Sequence, residues 1–199
     1  PEPVVELLYQ ATQEILKSEA IPVILGGEHS ISPGPIKAAF EKHPALVVVQ
    51  FDAHADLRDE WNGSPNSHAC AMRRVLDFLP ENQLLQVGIR SGTREEFVEM
   101  KDRLVAPNAK ALSEVLPRQV PLYVTFDLDI FDPSLLSGTG TPEPGGIDWE
   151  NFEQLRAVFD NSNIVALDIV ELAPTLDSSG VSSVVAAKLL REWLLTLPS

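Results

Sequence analysis

The run Leu46-Val47-Val48-Val49-Gln50-Phe51-Asp52-Ala53-His54-Ala55-Asp56 decides how this chain folds. Its first half is apolar and rich in valine, the pattern of a strand buried in a sheet covered on both faces. Its second half changes character: three potential metal donors, Asp52, His54 and Asp56, alternate with alanine. Side chains alternate sides along an extended chain, so extended geometry carried through the strand end puts all three on one side. Unpaired charge is costly to bury. Three such groups at the end of a buried strand therefore point to a ligand and not to packing.

Working outward, other apolar runs end in the same way. Ile21 to Leu25 leads into Gly26-Gly27-Glu28-His29, and Leu122 to Phe126 into Asp127-Leu128-Asp129. Ile164 to Ile169 carries Asp168 and is followed by Val170-Glu171. Leu84 to Ile89 reads as one more strand. Between these runs lie segments with helical spacing: Val4 to Lys17, Ser32 to Glu41, Cys70 to Phe78, Glu95 to Arg103, Asp148 to Phe159 and Ser182 to Leu197. Pro33 is tolerated in a first helical turn, and Asp148 is suited to an N-cap. Such alternation predicts an α/β fold of three layers, α/β/α, around a mostly parallel sheet. In sheets of that kind ligands bind outside the carboxyl ends of the strands, where the four polar clusters converge. No repeat or linker divides the sequence, so residues 1–199 are expected to form one domain.

The bulk properties narrow the partners. Hydrophobic residues make up 44% of the 199, ordinary for a globular protein. The 29 acidic residues outnumber the 15 basic ones and give a net charge of −14, which argues against nucleic acid and anionic membranes as partners. A small cation or a metal ion would be attracted, although charge by itself also serves solubility. No apolar run is long enough to span a bilayer, and Pro1-Glu2-Pro3 begins no signal peptide. The single cysteine, Cys70, fits a reducing, cytoplasmic setting and reads as a small packing residue.

His29, Asp52, His54, Asp56, Asp127 and Asp129 supply four carboxylates and two imidazoles. That exceeds the needs of one tetrahedral zinc. An oxygen-rich, thiolate-free set suits two divalent cations sharing carboxylates and favours Mn²⁺. Two ions roughly 3.5–4 Å apart can lower the pKa of a shared water. Singly, each residue has a plainer reading. His29 could cap or pack, and Asp127-Leu128-Asp129 could be turn chemistry before Asp132-Pro133. Their recurrence at several strand ends is what the plainer reading does not explain.

The chain resembles the ureohydrolases, the arginase–agmatinase family of binuclear manganese enzymes. The resemblance is carried in order by Gly26-Gly27-Glu28-His29-Ser30, Asp52 to Asp56, Ser67-His68, Thr125-Phe126-Asp127-Leu128-Asp129, Gly138-Thr139-Gly140-Thr141-Pro142 and Asp168-Ile169-Val170-Glu171. Ser67 to Arg74 and Glu171-Leu172-Ala173-Pro174 look like agmatinase. The resemblance implies one Mn²⁺ held by His29, Asp52, Asp56 and Asp127. It implies a second held by His54, Asp52, Asp127 and Asp129, with Asp52 and Asp127 bridging. It also implies that His68 handles protons or steers substrate, and that Glu171 pairs with a guanidinium by two parallel hydrogen bonds. The implied reaction is hydrolysis of a guanidino group through a tetrahedral intermediate, with the proton delivered through Asp129 or His68 and urea released.

Agmatine, giving putrescine and urea, is the expected substrate. Arginine, guanidinobutyrate, guanidine and formiminoglutamate are alternatives, and a non-catalytic metal-binding homologue is a reading of another class. A metallophosphatase is disfavoured because Glu171 would repel a phosphate ester. By family analogy the chain is expected to form a homo-oligomer, trimer or hexamer, and to lack much of the family's N-terminal portion. Arg58 and Asn62 are candidates for the far end of the substrate. Trp61 either lines the pocket mouth or packs its loop. His43, before Pro44 at a helix end, reads as structural or surface. Residues Ser137 to Gly146 read as a shaped loop bordering the site, not a phosphate cradle, since no Gly-Lys-Ser/Thr follows.

Overall fold

The computed structural model describes residues 2–197. Six strands form one sheet: β1 (Val23–Leu25), β2 (Val47–Phe51), β3 (Leu84–Val87), β4 (Leu104–Val105), β5 (Pro121–Asp127) and β6 (Asn163–Val170). Their order across the sheet is β1-β6-β5-β2-β3-β4, and every pairing is parallel. The sheet is thus wholly parallel among the described residues. Among the described residues seven α-helices precede, connect or follow the strands: α1 (Glu2–Lys17), α2 (Pro33–Lys42), α3 (Ala71–Leu76), α4 (Arg94–Glu99), α5 (Ala109–Val115), α6 (Trp149–Ala157) and α7 (Val181–Thr196).

Period-two alternation sorts the strands between two cores. Val47, Val49 and Phe51 of β2 pack with Leu122, Val124 and Phe126 of β5 against Phe152, Leu155, Leu189 and Trp193 of α6 and α7. Val48, Leu84 and Tyr123 face the other way, onto Leu16, Ile36, Ala39, Met72 and Val75 of α1, α2 and α3. Helices therefore cover both faces, which gives the expected three layers. Trp193 is fully buried, and its ring lies 5.2–6.3 Å from those of Phe51, Phe126, Phe152 and Phe159. Such tilted aromatic contacts fix the β2–β5 pair, whose ends carry most of the polar cluster.

The structure differs from the sequence expectation at three places. α4 ends at Glu99, four residues before Arg103, after a Thr93–Glu96 capping box has fixed its start. β4 and α5 lie in a stretch where no element is legible from periodicity: β4 has two residues, and α5 buries only Leu112. Strand geometry also stops at Phe51 and does not continue through Asp56, whose φ is +55°. The α6 cap is as expected, with Asp148 accepting the Asn151 N–H.

The topology places the site. From β2 the chain moves outward to β3 and β4; from β5 it moves the opposite way, to β6 beside β1. β2 and β5 are neighbours, so the carboxyl ends of these two strands border the crevice where the winding reverses.

Candidate metal centre

Each candidate residue follows a strand at that edge. His29 opens a short 3₁₀ turn after β1. Asp52, His54 and Asp56 follow β2, Asp127 closes β5 and Asp129 lies in the 3₁₀ turn after it. Glu171 follows β6, and His68 begins the turn before α3. One cavity of about 260 Å³ is lined by His29, His54, Asp56, Asp127, Asp129, His68 and Glu171.

Backbone N–H groups aim the carboxylates. Asp52 Oδ1 accepts from the His54 N–H at 2.6 Å, Asp127 Oδ1 from Asp129 at 2.8 Å, and Asp129 Oδ1 from Ala53 at 3.0 Å. The second oxygen of each is thereby turned to the histidines. His29 Nδ1 lies 3.1 Å from Asp52 Oδ2 and 3.2 Å from both Asp56 Oδ2 and Asp127 Oδ2. His54 Nδ1 lies 2.8 Å from Asp129 Oδ2. Two sets of donor atoms lie mutually close, His29 with Asp52 and Asp127, and Asp52 with His54 and Asp129. Asp52 belongs to both, whereas Asp127 joins only the first. The left-handed φ values of Asp56 (+55°) and Glu171 (+67°) cluster at this edge. Backbone strain of this kind collects at functional sites.

A buried chain beneath the site tests whether a cation fits. Tyr123 Oη and Thr125 Oγ1 each donate to Asp168, both at 2.7 Å. Thr125 has only one hydroxyl proton, so toward His29 it must accept, and His29 Nε2 donates to it at 2.9 Å. In the neutral imidazole that leaves a lone pair on Nδ1, a buried atom with no hydrogen-bond partner, facing three carboxylate oxygens. Lone pair against carboxylates is repulsive unless a cation or a proton lies between them. The donor set therefore fits a divalent metal, with Thr125 and Asp168 orienting its histidine.

With no cation, protons take that place. Burial opposes charging His29, but Asp127, Asp52 and Asp56 outweigh it and hold the imidazole well above its ordinary value. Burial also opposes a charged His54, yet Asp129 and Asp52 push it up to about 11. Burial and the Asp52 charge push Asp56 up to about 7. Burial, with the Asp129 and Asp52 charges, holds Asp127 well above its ordinary value. Asp52 is the exception: burial raises it, but the two histidines hold it below the usual carboxylate range.

Several supporting residues escape sequence reading. Gln50 Nε2 donates to Asp52 Oδ2 at 2.7 Å, while Gln86, its register partner on β3, donates to Gln50 at 2.8 Å. A glutamine inside an apolar strand was the available signal. Arg90 donates to the main-chain carbonyls of Asp129 and Glu143, at 2.8 and 2.6 Å, and so ties the 137–146 loop to the β5 end. That loop presses against Ile130–Asp132 at Gly146, where a Cβ would lie 2.4 Å from the Ile130 carbonyl oxygen. Its Thr141 lines the cavity beside Asp129. Trp61 and Arg58 also line the cavity, with the Arg58 guanidinium 4.0 Å from the Trp61 ring centre. Asn62 sits in an exposed turn and is not among the lining residues. His43 caps α2 away from the site, and Cys70 is buried packing.

Among the described residues, a parallel sheet covered by helices on both faces, with a histidine–carboxylate cluster that could hold a metal ion at its switch point, defines an α/β protein with a candidate metal centre. The model of the arginase family matches residues 1–196, and the chain belongs to that family. It is 38% identical to the agmatinase of Bacillus cereus over 96% of this chain and 68% of that one. It is 37% identical to the N(1)-aminopropylagmatine ureohydrolase of Synechocystis over 84% of this chain and 58% of that one. The crystal structure of a candidate agmatinase from Clostridium difficile superposes with a TM-score of 0.94 at 40% identity, covering 99% of this chain and 74% of that one. Among the described residues no helix is long and apolar enough to cross a membrane.

Proposed function

We propose that the chain hydrolyses the guanidino group of agmatine to putrescine and urea. The observation that carries this reading is the convergence of five candidate donors, Glu171 and His68 on one cavity, with the buried Asp52 grouped with the donors of both sets, in an arginase-family fold. The agmatinase relatives direct the choice of substrate.

His29, Asp52, Asp56 and Asp127 would hold one cation, and His54, Asp52 and Asp129 the other, with Asp52 shared. A pair of divalent ions there supplies Lewis acidity and a water of lowered pKa. The remaining work falls to the chain. Glu171 Oε1 accepts the His29 N–H at 2.6 Å, which fixes the carboxylate and leaves Oε2 free to take a guanidinium N–H. A planar cation held by a carboxylate has its carbon placed and its rotation restricted before reaction. The acidic wall opposes an anion and attracts a cation. His68, at the cavity edge, passes a proton to the departing amine, as Asp129 can from within. Manganese as the metal, two ions per subunit, a cytoplasmic location and a homo-oligomeric assembly complete the proposal.

Urea release from agmatine, N(1)-aminopropylagmatine, arginine, 4-guanidinobutyrate and formiminoglutamate, with Mn²⁺ present, tests it. Agmatine is expected to give the highest kcat/KM. No turnover of any compound by protein carrying two metals would leave only the non-catalytic reading. His68→Ala is expected to lower kcat about a hundredfold, within the usual range for a lost general acid or base, at unchanged metal content. Metal analysis checks the second half of that outcome.

A further inference from the structure

Glu28 and His29 are adjacent, yet they serve different places. The backbone of Glu28 is extended, with φ −72° and ψ 148°, so its side chain leaves on the side opposite His29. His29 is buried in the donor cluster. Glu28 instead crosses 40 residues of sequence to meet His68, its Oε1 lying 2.7 Å from His68 Nδ1. Its other oxygen accepts the Ser30 hydroxyl. His68 also lines the cavity shared with Glu171 and Asp129, while Glu28 does not.

We propose that Glu28 is a positioning residue for His68, holding its ring and its tautomer so that Nε2 serves the cavity. An ionised carboxylate can only accept, so the proton of a neutral His68 must sit on Nδ1. The unshared pair of Nε2 is then available for a proton. The neighbouring carboxylate also keeps the ring from turning out to solvent while that proton is handled. Ser30 steadies the carboxylate from its other side. The residue before the metal-binding histidine is thereby tied to the proton-handling histidine, so one short turn sets both groups. No substrate contact is assigned to Glu28, so its effect falls on turnover and not on binding. This assignment rests on the hydrolase reading for its kinetic consequence, but not for the contact itself.

The test uses metal-loaded protein carrying Glu28→Ala, Glu28→Gln, His68→Ala or the Glu28→Ala/His68→Ala pair. Glu28→Ala is expected to lower kcat for agmatine about tenfold or more, part of the general acid–base contribution, with KM within about twofold and metal content unchanged. Glu28→Gln, whose amide oxygen still accepts from Nδ1–H, is expected to recover much of the loss. Adding Glu28→Ala to His68→Ala is expected to cost nothing more, because the two act as one unit. Imidazole ¹⁵N resonances of the magnesium-loaded protein should show His68 in the Nδ1–H tautomer, and a mixture in Glu28→Ala. Metal loss in Glu28→Ala would show that it acts through His29 instead and would overturn the proposal. Additive losses or an unchanged His68 tautomer would do the same. If the unaltered protein turns over no guanidino compound, the hydrolase reading fails, and the ¹⁵N resonances alone decide the Glu28–His68 contact.

Discussion

Asp52→Asn is expected to strip both cations from the protein and to lower agmatine turnover by well over a hundredfold. Loss of a residue that merely orients a ligand costs about 10–100-fold in affinity or activity, and Asp52 is itself a shared donor. Asparagine keeps the shape and can still accept the His54 N–H. Its amide, however, replaces one carboxylate oxygen between Gln50 Nε2 and His29 Nδ1. An N–H there opposes a cation, and an oxygen there lacks the charge. Elemental analysis after desalting reads the metal, and urea release reads the turnover. Two tightly held ions in Asp52→Asn would show that Asp52 is not the shared donor. Asp56→Asn is expected to be milder, since Asp56 falls outside both of the mutually close donor sets. Asparagine also tolerates the left-handed backbone at that position.

Removing the metal is expected to reverse how stability responds to pH between about 5 and 7. In the metal-free chain the Asp56 carboxyl sits at about 7, against an ordinary 3.8. Between those values the folded chain holds a proton that the unfolded chain releases, so stability falls as pH rises. His54, raised from 6.5 to about 11, acts in the same sense over its own, higher range. Asp52, held low, acts oppositely, but only as pH falls through the ordinary carboxylate range and below. The surface carboxylates Asp132 and Asp177, held low by serine and backbone donors, likewise titrate below the window. A cation favours ionised carboxylates and neutral imidazoles, so loaded protein should gain stability as pH rises. Melting midpoints at pH 5 and 7, with metal and with chelator, should move in opposite directions. Metal added to chelated protein near pH 7 should also release protons, seen as a calorimetric heat that depends on the buffer. Parallel midpoint changes and no proton release would contradict this account.

Much of this was legible in the sequence because strand ends announce themselves. Apolar runs broken by Asp52 or Asp127 show where a buried strand reaches solvent or ligand, and helical spacing marks the cover. What failed was local or geometric. Leu104-Val105 is too short to display a period. The convergence of Asp52, His54 and Asp56 comes from a left-handed turn at Asp56, not from continued alternation. No strand pattern shows that Thr125, with one hydroxyl proton given to Asp168, settles which nitrogen of His29 is free. The Glu28–His68 contact joins two loops, and no pattern within either loop reports the other.

Among the described strands, β1 pairs with β6 alone, and β6 lies between β1 and β5. In chain order the other four described strands separate β1 from the one strand it pairs with. His29, carried just after β1, is held in place by Glu171, which follows β6. The first donor cluster therefore leans on a contact between segments 142 residues apart, so a change at Glu171 reaches the metal donors through the backbone of His29.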